Sequence, residues 1–185
     1  MESTSIANAT KTKWVLDPTH SEIVFKVKHL MITNVKGEFR TFHAEITSAS
    51  TDFTKASIHA NIDAASVFTN EDNRDNHLRS ADFFDVANFP QLTFEGTAFE
   101  HLSGENYRLT GNLTIKDATH PVTLDVEFGG INTDPWGNEK AGFSLSGSIN
   151  RKAWGLNWNA ALEAGGVLVS EEVKIGGELQ FVKQA

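Results

Sequence analysis

Apolar and polar residues alternate with a period of two along nearly the whole chain, and this feature most restricts the fold. Ile23, Phe25 and Val27 alternate with Glu22, Val24, Lys26 and Lys28, and Ala56, Ile58, Ala60 and Ile62 with Ser57, His59, Asn61 and Asp63. The rhythm returns in Tyr107–Ile115, with Gly111 in the apolar phase, in Val122–Phe128, in Phe143–Ile149 and in Val173–Phe181. Alternation sends successive side chains to opposite faces, so each segment reads as an antiparallel strand with one dry and one wet face. Adding Leu92 with Phe94, and Val35 to Ile46, brings the number of strands to about eight. Between Phe39 and Phe42 the apolar phase shifts, as a bulge would make it do. An all-β, eight-stranded antiparallel up-and-down barrel satisfies this pattern best, because closure removes both edges. A two-sheet sandwich is the competing architecture.

Two stretches break the rhythm. Thr69 to Ser80 is polar and reads as a short helix, with Thr69 and Asp72 spaced as a capping box and Asp75 and Arg79 as a favourable pair four apart. An aromatic-rich turn follows, with Phe83, Phe84, Phe89 and Pro90. In Lys152 to Ser170, Trp154, Trp158 and Leu162 recur every fourth residue before Gly165-Gly166. That spacing suggests one or two helical turns laid across a barrel mouth.

Small residues recur in the apolar phase: Ala56, Ala60, Gly96, Ala98, Gly111, Ala141, Gly147 and Gly177. They either interlock with large side chains and fill the interior, or leave a tube wide enough for one ligand. The tube is the better fit, since the strands supply few large residues per layer. Its wall would be nearly uncharged, and its guest a long hydrophobe oriented by a few polar groups. Phe25, Val27, Phe39, Ile58, Ile62, Phe94, Leu113, Leu124, Phe143 and Leu145 are the expected wall. His29, Arg74 and His77 are candidate head-group contacts beside Leu78, while Phe83, Phe84, Trp154 and Trp158 would frame the mouths.

The 185 residues carry a net charge of −8 and no cysteine. Acidity argues against a nucleic-acid partner, and the lack of cysteine removes thiolate catalysis, Cys-ligated metals and disulfides. The charge is uneven: residues 1–40 hold six Lys/Arg and four Asp/Glu. Lys26, Lys28, Lys36 and Arg40 mark a mildly basic strip whose plainer reading is an ordinary solvated strand face. Residues 1–13 are polar and read as a flexible tail before a domain over 14–185. With no signal-like start the chain reads as cytoplasmic, or as periplasmic had a signal been removed.

Catalytic motifs are missing: no GxSxG, HExxH or GxGxxG occurs, and the seven histidines lack metal-ligand spacing. His59 lies on a polar face and reads as solvated. Arg74 and Arg151 suit a phosphate or carboxylate, with salt bridges to Asp75, Asp82 or Asp85 as the plainer alternative. No metal or cofactor is expected.

Trp14-Val-Leu-Asp17-Pro-Thr-His20 through His29-Leu30, Val35-Lys-Gly37-Glu-Phe39, the block Arg74-Asp75-Asn76-His77-Leu78-Arg79-Ser80-Ala81-Asp82-Phe83-Phe84-Asp85, Phe89-Pro90, Leu109-Thr-Gly111, Thr119-His-Pro121-Val122 and Val173-Lys-Ile175 together resemble the YceI family of lipocalin-like proteins. The resemblance spans residues 14–182. It implies an extended eight-stranded barrel that binds polyisoprenoid or fatty-acyl amphiphiles, often as a dimer, with no catalytic set to carry over. The expected function is non-catalytic binding, transport or storage of a polyisoprenoid, an isoprenoid quinone or a fatty acid or amide, with a homodimer and transient membrane contact as partners. Two rivals stand beside it: an enzyme acting on the bound lipid through His29 or His77, and a protein-interaction module with a filled barrel.

Overall fold

The computed structural model describes residues 11–185. Most of the tail expected at 1–13 lies outside them, and Thr12 and Lys13 already belong to a strand. Among the described residues there are eleven strands: β1 (Thr12–Leu16), β2 (Glu22–His29), β3 (Thr33–Phe39), β4 (Phe42–Ser48), β5 (Ser57–Asp63), β6 (Val67–Phe68), β7 (Gln91–Ser103), β8 (Asn106–Ile115), β9 (Ala118–Thr133), β10 (Glu139–Asn150) and β11 (Val169–Lys183). One helix, α1 (Asp72–Arg79), and four 3₁₀ turns complete the set.

The strands make eight staves, because β1 with β2, β3 with β4 and β5 with β6 are successive pieces of single staves. Every neighbouring pair is antiparallel, and β11 closes the ring by pairing with β1 through Trp14↔Lys183 to Leu16↔Phe181 and with β2 through Val27↔Val173 to Glu22↔Glu178. The sheet is a closed barrel, as the alternation predicts, and not a sandwich.

Corners bend the first two staves. Asp17–Ser21 turns between β1 and β2, where the Asp17 carboxylate accepts from the Thr19 amide at 3.0 Å and caps a 3₁₀ turn. Opposite it the second stave breaks at Arg40–Thr41. The phase shift between Phe39 and Phe42 therefore comes from a break and not from a bulge. The bulges sit elsewhere, at Gly96/Ala98 and His101/Ser103 in β7 and at Gly129 in β9, which is skipped opposite Gly142/Phe143 of β10.

The third stave ends early, at Phe68, and the wall beyond it is completed by α1 and the aromatic turn 80–90. The cap of α1 is Glu71, whose carboxylate accepts from the amides of Asn73 and Arg74. Thr69 is not the cap: its amide and hydroxyl both donate to Asp75, which is 2% exposed. The expected Asp75–Arg79 pair does not form, because Arg79 turns away to donate to the carbonyls of Ala65 and Val67. Segment 152–170 is also less helical than its spacing suggests. A 3₁₀ turn (Arg151–Trp154) leads into an irregular loop with a single bridge, Ala161↔Val167.

Within the core an aromatic cluster gathers at one end. Phe53, from the loop between β4 and β5, meets Trp14, Phe128 and Phe143 at ring separations of 5.5, 5.6 and 5.6 Å. Phe143 also stacks on Phe128 at 5.0 Å and meets Phe181 edge-on. Such pairs add about 0.5–1.5 kcal/mol each beyond area burial. They plug this end of the barrel.

Candidate functional site

Towards the other end the same inward alternation leaves room. A cavity of about 550 Å³ occupies the lumen, within the range of small-molecule sites. Its wall stays open because large inward residues lie along it and not across it. Phe25 is paired with Gly37, and a Cβ on that glycine would stand 2.3 Å from the Phe25 ring. Ile58 lies over Gly96 in the same way, Phe94 over Gly111, Leu124 over Gly147 and Leu145 over Gly177. Each glycine vacates the space that its neighbour's side chain fills, which turns bulk sideways along the sheet. The small residues thus interlock with large ones and also preserve a tube. The two sequence alternatives are both realised.

Of the expected wall, Phe25, Val27, Phe39, Ile58, Ile62, Phe94, Leu113, Leu124 and Leu145 border the cavity. Leu78, Phe83, Phe84 and Trp158 border it too, as do His29, Arg74 and His77. Phe143 and Trp154 do not. Phe143 is spent in the aromatic plug, so the lumen is blind at that end and not open at two mouths. Trp154 is 4% exposed, donates from Nε1 to the Leu113 carbonyl at 2.9 Å and packs edge-on against His120, outside the lumen. Sequence reasoning missed Val173, Ile175, Leu179 and Phe181 on β11 as lining, although their alternation was visible. It also missed Thr69, Glu71, Asn73 and Lys28, for which no local pattern exists.

Polar residues border the cavity at its other end only: Lys28 and His29 from β2, Thr69 to His77 around α1, and Arg151. Glu71, Asn73 and Arg74 are exposed, so this end is the mouth. His77 sits between two rings, 4.6 Å from Trp158 and 5.1 Å from Phe83, both near perpendicular. Its Nε2 meets Asp82 at 2.8 Å. Arg74 donates from Nε to the Thr69 hydroxyl at 2.8 Å and from Nη2 to the Thr69 carbonyl at 2.7 Å. No salt bridge to Asp75, Asp82 or Asp85 forms, and among the described residues no carboxylate pairs with it.

Arg151 is 3% exposed and, among the described residues, likewise has no carboxylate in contact. It donates to the carbonyls of Ser170, Leu156, Trp158 and Val169, pinning the loop that carries Trp158 over the mouth. Burial pushes its pKa below the ordinary guanidinium value, and Glu171 partly opposes this. The guanidinium nevertheless keeps its charge. Its N–H groups are largely spent on carbonyls, which leaves Arg74 as the freer donor. No group of metal-ligating side chains occurs among the described residues.

The profile of the YceI-like domain matches residues 14–181. The chain belongs to the YceI-like family. A UPF0312 protein of Staphylococcus epidermidis is 42% identical over 171 residues, covering 92% of this chain and 97% of that protein. A UPF0312 protein of Staphylococcus aureus is 39% identical over the same span. Among solved structures, the Campylobacter jejuni YceI protein superposes with a TM-score of 0.73 at 34% identity, over 86% of this chain and 91% of that one. Burkholderia cenocepacia BcnA gives 0.77 at 24% identity, over 89% and 98%. A polyisoprenoid binding domain from Saccharophagus degradans gives 0.67 at 16%, over 92% and 98%, and shares the fold. Helices long and apolar enough to cross a membrane are absent from the described residues.

Proposed function

We propose that this YceI-like barrel binds one long-chain amphiphile, tail first, and holds it for transport or storage without chemical change. The observation that carries this reading is the blind, almost wholly apolar lumen with cationic groups only at its mouth. At roughly 30 Å³ per methylene-sized group, 550 Å³ holds a chain of about eighteen carbons. A fatty acyl, fatty amide or short isoprenoid chain is therefore enclosed, whereas a longer polyisoprenoid or quinone tail leaves part of itself outside. At about 0.8 kcal/mol per buried methylene, even ten methylenes supply micromolar affinity before ordering costs. Arg74, with His29 and His77 beside it, faces the head group.

The name of the Saccharophagus degradans neighbour points to isoprenoids as one ligand class. A homodimer and transient membrane contact for exchange of the guest belong to the same reading. The His77 side chain is hydrogen-bonded to Asp82, and His29 has no side-chain hydrogen bond among the described residues.

Organic extraction of purified protein followed by mass spectrometry should release a long-chain hydrophobe in near-equimolar amount. Ala60→Phe is the matching variant, since Ala60 borders the cavity and stands across from Phe94. It should cut loading at least tenfold while the barrel stays folded by circular dichroism. Clean extracts from several hosts, together with no uptake of added palmitate or geranylgeraniol, overturn the reading.

A further inference from the structure

The hairpin between β2 and β3 is built against its own backbone preferences. His29 accepts from the Ile32 amide at 3.1 Å, and the two central residues, Leu30 and Met31, have φ of +52° and +61°. Left-handed angles at both centres define the hairpin turn that Asn-Gly fills most easily. Here two bulky apolar residues occupy it under strain, and strain of this kind marks functional segments. The result is an exposed apolar tip: Leu30 is 41% exposed, Met31 54% and Ile32 77%.

This tip stands beside the cavity mouth. The Leu30 amide donates to the Leu168 carbonyl at 2.8 Å, and both Leu168 and His29 border the cavity. On the outer face of the same sheet, Lys36, Lys26 and Lys174 are direct cross-strand neighbours on three adjacent strands. Like charges placed opposite one another weaken a sheet. None of the three is in an ion pair among the described residues, while Glu38 beside them is held by Arg40. On a chain of net charge −8, a strained apolar tip and an unpaired lysine row occupy one side of one opening.

We infer that the Leu30–Ile32 tip and the Lys26–Lys36–Lys174 row form a docking surface for an anionic lipid bilayer, which seats the cavity mouth on the membrane for tail transfer. The inference rests on the amphiphile-binding reading above. Lys26 lies about 16 Å along the strand from Met31 at ~3.3 Å per residue. With the tip buried about 5–10 Å, the lysines therefore stand at the headgroup layer, within a Debye length of its charge. A second copy fits this surface less well. Three side chains cover a small part of the ~800 Å² per partner that a stable interface needs.

Flotation of the full chain with phosphatidylcholine vesicles, with or without phosphatidylglycerol, tests the surface. Binding should be at least tenfold stronger with the anionic lipid and should weaken with salt. Met31→Ser with Ile32→Ser should abolish it, and Lys26→Gln, Lys36→Gln and Lys174→Gln together should remove its salt-sensitive part. Both variants should take up palmitate from ethanol as the parent does, yet lag when it is offered in anionic vesicles. No flotation of the parent, equal flotation on neutral vesicles, or undiminished flotation of either variant overturns the inference. So does conversion of a dimer to a monomer by the tip substitutions with vesicle binding unchanged, which would make the tip a contact between copies. Failure of the parent to load palmitate from ethanol would instead count against the cavity reading, while flotation still decides the docking surface.

Discussion

The two ends of the barrel are made from the same strands with the same alternation, yet one is solid and the other hollow. At the closed end, large inward residues face large ones: Phe143 pairs with Phe128 on one side and Leu179 on the other, and Phe53 drops in from a loop. Towards the mouth they face glycine sideways, as Phe25 does at Gly37 and Leu145 at Gly177. Charges divide the same way. At the closed end Lys140 is held between Asp17 and Asp134, whereas at the mouth His77 meets Asp82 but, among the described residues, Arg74 and Arg151 meet no carboxylate. Hollowness thus depends on what stands beside each large residue across the ladder, not on how many apolar residues a strand carries.

Truncating an aromatic ring at each end tests that contrast most severely. Phe53→Ala removes the ring that meets Trp14, Phe128 and Phe143 in a site only 3% exposed. It should cost about 3–5 kcal/mol in urea denaturation. Phe84→Ala, beside the cavity and partly exposed, should cost less than half as much because one side of its ring already faces empty space. Equal losses would show that the two ends are packed alike.

Glycine replacements probe the device that keeps the lumen open. Gly37→Ala sets a methyl where the Phe25 ring now lies, so the ring must swing into the cavity. A stability loss of about 1–3 kcal/mol and weaker palmitate uptake should follow. Gly142, with nothing within 4 Å of a built Cβ, is the control, and its alanine variant should stay within about 0.5 kcal/mol of the parent. If Gly37→Ala behaves like Gly142→Ala, the flat-lying rings are not what makes the room.

Much of this was legible in the residues. Period-two alternation identifies the strands and their inward phase because it is a local property of the extended chain. Most of the expected wall accordingly borders the cavity. What escaped depends on register between distant strands. Phe143 and Leu145 share one phase on β10, and only their partners, Phe128 against Gly177, send one into the plug and leave the other beside the lumen. Gly111 invites substitution by a bulky blocker if it faces a void. It lies under Phe94, with the Glu95 carbonyl 2.6 Å from a built Cβ, so Ala60 is the better position for that experiment. Trp154, Trp158 and Leu162 keep a helical spacing in a segment that four carbonyl contacts to Arg151 hold as a loop. A long-range contact overrides a local rhythm there.

The smallest expected effect separates the two ends by charge. The Asp17 carboxylate lies well below the ordinary aspartate range, chiefly because the Thr19 hydroxyl donates to it at 2.6 Å. His20 adds to this at 2.8 Å, burial opposes it, and the Thr19 amide and Lys140 contribute less. A carboxylate whose pKa is depressed on folding stabilises the fold above its unfolded value of about 3.9, and that contribution is lost as the pH falls from there toward the folded value. Asp17→Asn should therefore be about 1 kcal/mol less stable than the parent at neutral pH, the scale of one ordinary net hydrogen bond. The two denaturation curves should converge as acid protonates the aspartate. Arg74 has no paired carboxylate to lose, so Arg74→Gln should leave the acid limb parallel to the parent's while changing uptake of an anionic guest. An acid limb unchanged in Asp17→Asn, or flattened in Arg74→Gln, would place the acid-sensitive pairing at the wrong end of the barrel.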